Sequence, residues 1–251
     1  MSTIENGLFL TLLISLRLLP TIQFAPPFTL VRAPAQVKLL LSIGIAGWLS
    51  TITQPLDVET YRNVLKLLAL AASELLIGIA MSLSFHIAYA AIYTMGRLID
   101  LQAGFSFATL VDPTNKSQLP MIGTILAYSA GIIFFTTDAP ADLIAIWANS
   151  MELAPVGSLI NAEALPKLLS YTSAVYMMAI VIGFLLVMVL FILDIAIAIM
   201  SRSLPQMNVL ILGFQVKTLA TIALLPLAIS LSMAACFKIT RYALEATTQL
   251  A

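Results

Sequence analysis

Four ionisable side chains stand inside apolar stretches of this 251-residue sequence: Arg17, Glu74, Asp194 and Lys217. A charge in an apolar helix is costly, so it needs a partner or a function. Two chemistries fit. One is an ion or proton relay. The other is a structural pair, within the chain or with a neighbouring subunit. Four residues scattered over four helices do not outline a relay. The single histidine, His86, lies beside Phe85 and Tyr89. Without a second histidine it is read as a packed side chain bonded to a neighbouring helix, not as a metal ligand. The single cysteine, Cys236, has no intrachain partner. HExxH, GxSxG, P-loop and GxGxxG patterns are all missing from the sequence. No catalytic residue, cofactor or metal is implied, and the protein is not expected to be an enzyme.

Composition narrows the class further. Hydrophobic residues make up 61% and charged residues 10%, with a mean hydropathy of +1.03. Soluble domains run near ~45–50% apolar and ~25% charged. Too little polar surface remains to coat a water-soluble globule. Disorder is excluded too, because it needs low hydrophobicity and high charge. Twelve basic and twelve acidic residues cancel, leaving no basic stripe for nucleic acid. The first charge is Glu5, and Arg17 interrupts the first apolar run. That pattern does not fit a signal peptide, so the mature chain is expected to keep its N-terminus.

The elements that carry these charges are six apolar stretches. They run about Gly7 to Val31, Leu39 to Thr53, Val64 to Met95, Leu119 to Thr137, Leu168 to Met200 and Val209 to Phe237. Runs such as Val181–Leu193 do not alternate, which excludes barrel strands. The fold class is therefore all-α: a polytopic integral membrane-type protein of about six long apolar helices, several broken or kinked. Pro20, Pro26 and Pro27 are expected to break the first, and the second is short for a span of ~20 residues. If all six crossed, basic residues would divide five against five, with Arg17 and Lys217 set aside, so charge does not orient the chain. Arg97 to Gln118 reads as a long loop, and Asp142–Leu153 as a short helix with Leu143, Trp147 and Met151 on one stripe. Ala80, Ser84 and Ala88 form a small face for close helix packing. Trp48 and Trp147 lie near stretch ends, where interfacial rings are comfortable.

The last two stretches flank a tight turn, Ser201–Asn208, and so form a C-terminal antiparallel helical hairpin. Asp194 and Lys217 each stand about 11.5 positions from its centre, roughly 17 Å along each helix. Equal depth favours pairing but does not fix rotation about either helix. Partners on neighbouring subunits fit almost as well.

The run Leu101-Gln102-Ala103-Gly104-Phe105-Ser106-Phe107-Ala108-Thr109-Leu110-Val111-Asp112-Pro113 resembles the FliR family of flagellar biosynthesis proteins. Arg17, Pro26, Pro34 and Lys38 are similar to its N-terminal pattern. Ser150, Pro155 and Gly157 resemble the segment before its fifth apolar stretch. Arg202, Pro205, Gln206, Asn208, Gly213, Phe214 and Lys217 look like its final turn and helix start. The chain departs from the pattern at Gln215, where members often have Pro, and at Asp138-Ala139, where many have Gly-His. The Ser106–Pro113 run is more flagellar than virulence-type.

The resemblance implies a subunit of the type III export gate, assembled with FliP-type and FliQ-type subunits and contacted by an FlhB-type switch protein. Residues 1–160 would be a FliP-like portion and 161–251 a FliQ-like hairpin, with Arg202, Pro205, Gln206 and Asn208 at its cytoplasm-side turn. The complex would belong to the bacterial inner membrane and the flagellar basal body, largely on the periplasmic side. Unfolded export substrates would pass through it, driven by proton motive force and a separate ATPase. A loop at about 104–118 would plug the pore. Its Gly104, Phe105, Ser106, Phe107, Asp112 and Pro113 would supply bends and aromatic bulk. Two alternatives are a polytopic secondary transporter and a non-pore membrane scaffold. A transporter predicts inverted repeats with polar groups converging at mid-membrane, and the sequence shows neither.

Overall fold

Long apolar runs leave a backbone one local way to satisfy its own polar groups, and helices result. The computed structural model describes residues 3–53, 63–105, 120–158, 164–203, 211–227 and 229, and these contain helices and no strand. The helices are α1 (Thr3–Phe24), α2 (Pro26–Leu30), α3 (Ala35–Ser50), α4 (Val64–Ala103), α5 (Met121–Thr136), α6 (Ala139–Leu153), α7 (Ala164–Ser203) and α8 (Ile211–Leu227). This is the all-α membrane-type architecture expected from the sequence. The stretches do not become equal spans, however. The α4 and α7 helices have 40 residues each, about 60 Å of helix against a hydrocarbon core of ~30 Å. Asn6–Phe24, Val64–Ala103 and Gly183–Ser203 are long and apolar enough to cross a membrane, and the bent α5–α6 pair makes a fourth candidate.

The chain divides into two compact units, one including Met1–Ala88 and Phe134–Ser173, the other including Tyr89–Ile133 and Ala174–Ile239. In the first, α1 packs on α3; Leu10, Leu13, Ile14, Leu18 and Ile22 of α1 are buried, as are Ser42, Ala46 and Leu49 of α3. Pro20 does not break α1, contrary to the sequence expectation. It removes one amide, and the rest of the helix holds because α1 is buried by its neighbours. The helix stops at Phe24 because Pro26 forces Ala25 into extended backbone. Opposite the proline, Gly78 of α4 lies so close that a Cβ there would stand 2.3 Å from the Arg17 carbonyl oxygen. Phe28, Phe85, Phe134 and Phe135 form edge-to-face pairs 5.1–6.1 Å apart.

The short sixth helix has the expected stripe: Leu143, Trp147 and Met151 are all buried. Trp147 is only 1% exposed, so it is a core ring and not an interfacial one. Trp48 is exposed. Ser84, on the small face of α4, is buried, and its carbonyl accepts the Tyr171 hydroxyl proton at 2.8 Å. His86 corrects its expectation. It is exposed, and Nδ1–H donates to the Ser82 carbonyl of its own helix at 2.9 Å.

In the second unit, α4 continues through Arg97 to Ala103, where the sequence suggested that the loop had begun. Ile99 and Ala103 are buried on one side of this last stretch, which keeps the helix worth forming, while Leu98 and Leu101 are exposed. Gly96 and Gly123 bring α4 and α5 into backbone contact. A Cβ on Gly96 would lie 2.1 Å from the Gly123 Cα. On α7, Val175, Ala179, Leu186 and Leu190 are buried. The opposite stripe, through Met177, Val181, Phe184, Met188, Phe191, Ile195 and Ile199, is exposed and wholly apolar. Asp194 meets Lys217, and Gly213 meets Ile197. One position rises as the other falls, so α7 and α8 run antiparallel.

Candidate functional site

The site begins where α4 ends. Gly104 has φ +86, a left-handed conformation that suits glycine. Its N–H donates to the Leu101 carbonyl at 3.2 Å, and the Phe105 N–H reaches back to the Asp100 carbonyl at 3.0 Å. This pair of bonds is a Schellman cap, which closes a helix and turns the chain away. Of the proposed plug residues, Gly104 and Phe105 are therefore the cap and its first following residue. Ser106, Phe107, Asp112 and Pro113 lie outside the described residues.

The returning chain starts α5 against the same residue. The Asp100 carboxylate, 3% exposed, accepts the Ile122 N–H at 3.1 and 3.2 Å. This amide is one of those a helix N-terminus leaves without an intrahelical partner. A carboxylate there also sits favourably in the helix dipole.

Two residues further along α4, Gln102 points to the hairpin. Its Nε2 donates to Asp194 Oδ2 at 2.9 Å, while Asp194 Oδ1 pairs with the Lys217 ammonium. The structure thus brings Asp194 and Lys217 together and adds Gln102 as a third member. Their side chains are 38% and 20% exposed, so the pair is only partly sheltered. Arg202 is in the last turn of α7, exposed, where a cation complements the helix C-terminus. Pro205, Gln206 and Asn208 lie outside the described residues.

Arg17 and Glu74 make a second, deeper cluster. Both are fully buried. Arg17 Nε donates to Glu74 Oε2 at 2.7 Å and Nη2 to Oε1 at 3.0 Å. Nη1 donates to the Ser150 carbonyl and hydroxyl at 3.0 and 3.3 Å, and Nη2 to the Ala154 carbonyl at 3.0 Å. All five guanidinium donors are used. Glu74 Oε1 also accepts the Gly157 N–H at 2.9 Å. Arg17 therefore caps the C-terminal end of α6 while holding α1 to α4. Each of the four charges singled out in the apolar helices has an opposite charge within the chain, in two local pairs. Among the described residues no group of three metal-ligating side chains occurs.

Asp100 and Gln102 are the residues that site selection from sequence missed. The signal was present. An acid at the end of an apolar run, four residues before a glycine, fits a residue at a helix end.

A helical membrane protein with internally neutralised charges and a capped helix end opposite a helix start is the class these features define. Residues 8–242 match the family described as bacterial export proteins, family 1, and the chain belongs to it. The flagellar biosynthetic protein FliR of Escherichia coli (strain K12) is 29% identical over 211 residues, covering 84% of this chain and 80% of the relative. FliR of Bacillus subtilis (strain 168) is 27% identical over 197 residues, 75% of each. The Yop proteins translocation protein T of Yersinia pestis is 24% identical over 184 residues, 72% of this chain and 69% of the relative. The FliR-family resemblance read from residues 101–113 agrees with these matches.

Proposed function

We propose that this chain is the FliR-type subunit of a flagellar type III protein export gate, in the bacterial inner membrane and largely on its periplasmic side. It forms part of the channel wall, does no covalent chemistry, and assembles with FliP-type and FliQ-type subunits and an FlhB-type switch protein. Residues 1–160 act as the FliP-like portion and 161–251 as the FliQ-like hairpin, whose turn at Arg202–Asn208 faces the cytoplasm. The observation that carries the reading is the family match along 8–242. The apolar outer stripe of α7 supports it, because such a face asks for lipid or a neighbouring subunit.

The loop at about 104–118 closes the resting pore. Phe105 and Phe107 fill the constriction, and an apolar constriction resists ion passage by dewetting. Unfolded substrates displace the loop and follow the wall. The experiment is co-expression with FliP-type and FliQ-type subunits, purification of the complex, and single-channel recording. Phe105→Ala with Phe107→Ala, or deletion of 106–118, is expected to raise resting conductance. A tight seal in both would remove the plug, and failure to co-purify would remove the gate assignment.

A further inference from the structure

We infer that Asp100 is a positioning residue that clamps the two ends of the segment between Phe105 and Met121. Its significance for gating rests on the reading of 104–118 as the pore loop. The clamp itself stands on described residues alone. Asp100 holds the outgoing end by its backbone carbonyl, bonded to the Phe105 N–H at 3.0 Å. It holds the returning end by its carboxylate, both oxygens of which accept the Ile122 N–H, at 3.1 and 3.2 Å.

The arrangement suits aspartate in charge and in size. The Ile122 N–H faces both carboxylate oxygens, so an anion with two acceptor oxygens fits. An asparagine would turn an NH2 toward that donor. Backbone contact at Gly96 and Gly123 fixes the spacing of α4 and α5, so a glutamate carries one methylene too many for the gap. Burial leaves no water to replace a lost acceptor. An ordinary helix cap would secure only α5. Asp100 joins α5 to the helix end from which the loop departs.

The test uses the assembled complex, with Cys236→Ser as background. Leu101 and Met121 are 55% and 58% exposed, and spin labels on Leu101→Cys and Met121→Cys report the distance between the two ends. A single narrow distance is expected with Asp100 and a broad distribution with Asp100→Ala. Asp100→Asn should fall between them, and Asp100→Glu should resemble the alanine variant. Resting conductance is expected to rise about tenfold in Asp100→Ala, the order of effect of one lost charged cap.

An unchanged distance in Asp100→Ala overturns the clamp. So does loss of the complex in Asp100→Asn as well as Asp100→Ala, because the residue is then needed to build the protein and not to hold the segment. Broadened distances with a tight channel, while deletion of 106–118 leaks, overturn its role in gating. If the deletion is also tight, the plug reading falls and the clamp remains.

Discussion

Arg17 and Glu74 meet side-on at 2.7 and 3.0 Å, with neither side chain exposed. Burying two charges is costly, and the gain exceeds the cost only when the remaining donors are also satisfied. Here they are, by the Ser150 and Ala154 carbonyls at the end of α6. Removing one partner, as in Glu74→Gln or Arg17→Met, is expected to cost about 3–5 kcal/mol. The measurement is the unfolding midpoint of the purified complex. Arg17→Lys should not rescue, because a lysine offers three donors and no fork. The double replacement by methionine should recover part of the loss only. The Ala154 carbonyl would still lack its donor, while the Ser150 carbonyl keeps the Ala154 N–H, and a wild-type midpoint in the double variant would contradict this account.

A second prediction contrasts glycines. Gly96→Ala would drive its Cβ into the Gly123 backbone. Backbone cannot rotate aside like a side chain, so a loss above the usual overpacking range of ~1–3 kcal/mol is expected. Gly44 is also helical, but a Cβ there would meet nothing within 4 Å. Gly44→Ala should stabilise by up to about 1 kcal/mol through helix propensity. Comparing the yield and melting temperature of the two variants separates crowding from propensity.

Much of this was legible from residue types. Non-alternating apolar runs called for helices, and α6 appeared with Leu143, Trp147 and Met151 on its buried stripe. The charges in apolar stretches announced partners, but their identities did not follow. Arg17 and Glu74 are 57 positions apart, and only tertiary packing decides which helices touch. Asp194 and Lys217 were findable because a short turn fixes the depth of both helices. Pro20 lowers local helix propensity, but packing around α1 outweighs it. The helix runs past Arg97, the residue at which the sequence suggests a loop. A polar residue in an apolar pattern looks like an ending, whereas the true terminator is Gly104 with its positive φ.

The α7 stripe predicts obligate assembly. Exposed apolar residues from Met177 to Ile199 span 22 rises of the helix, about 33 Å, close to a hydrocarbon core of ~30 Å. Without lipid or partner subunits that face would associate with copies of itself. Expressed alone and extracted in mild detergent, the chain should elute as polydisperse aggregates. Co-expression with FliP-type and FliQ-type subunits should give one sharp species. A monodisperse, folded solitary chain would contradict the prediction.

The last prediction concerns Asp194, Lys217 and Gln102. Exposures of 38% and 20% place the pair in a regime where exposed ion pairs contribute about 0–1 kcal/mol. That is well below the buried Arg17–Glu74 pair. Gln102 adds a charge-assisted hydrogen bond at 2.9 Å, so the triad should exceed the pair alone. Lys217→Met and Asp194→Asn should each lower assembly yield modestly, and the double variant should lose less than the sum. Gln102→Ala should weaken the effect of Asp194→Ala, since both remove the Gln102–Asp194 bond. A double-mutant cycle on each pair, read as complex yield and thermal midpoint, measures the coupling. Strictly additive losses between Asp194 and Lys217 would mean that each serves a different neighbour in the assembly. Coupling to Lys217 but not to Gln102 would confine the interaction to the hairpin and leave the end of α4 independent of it.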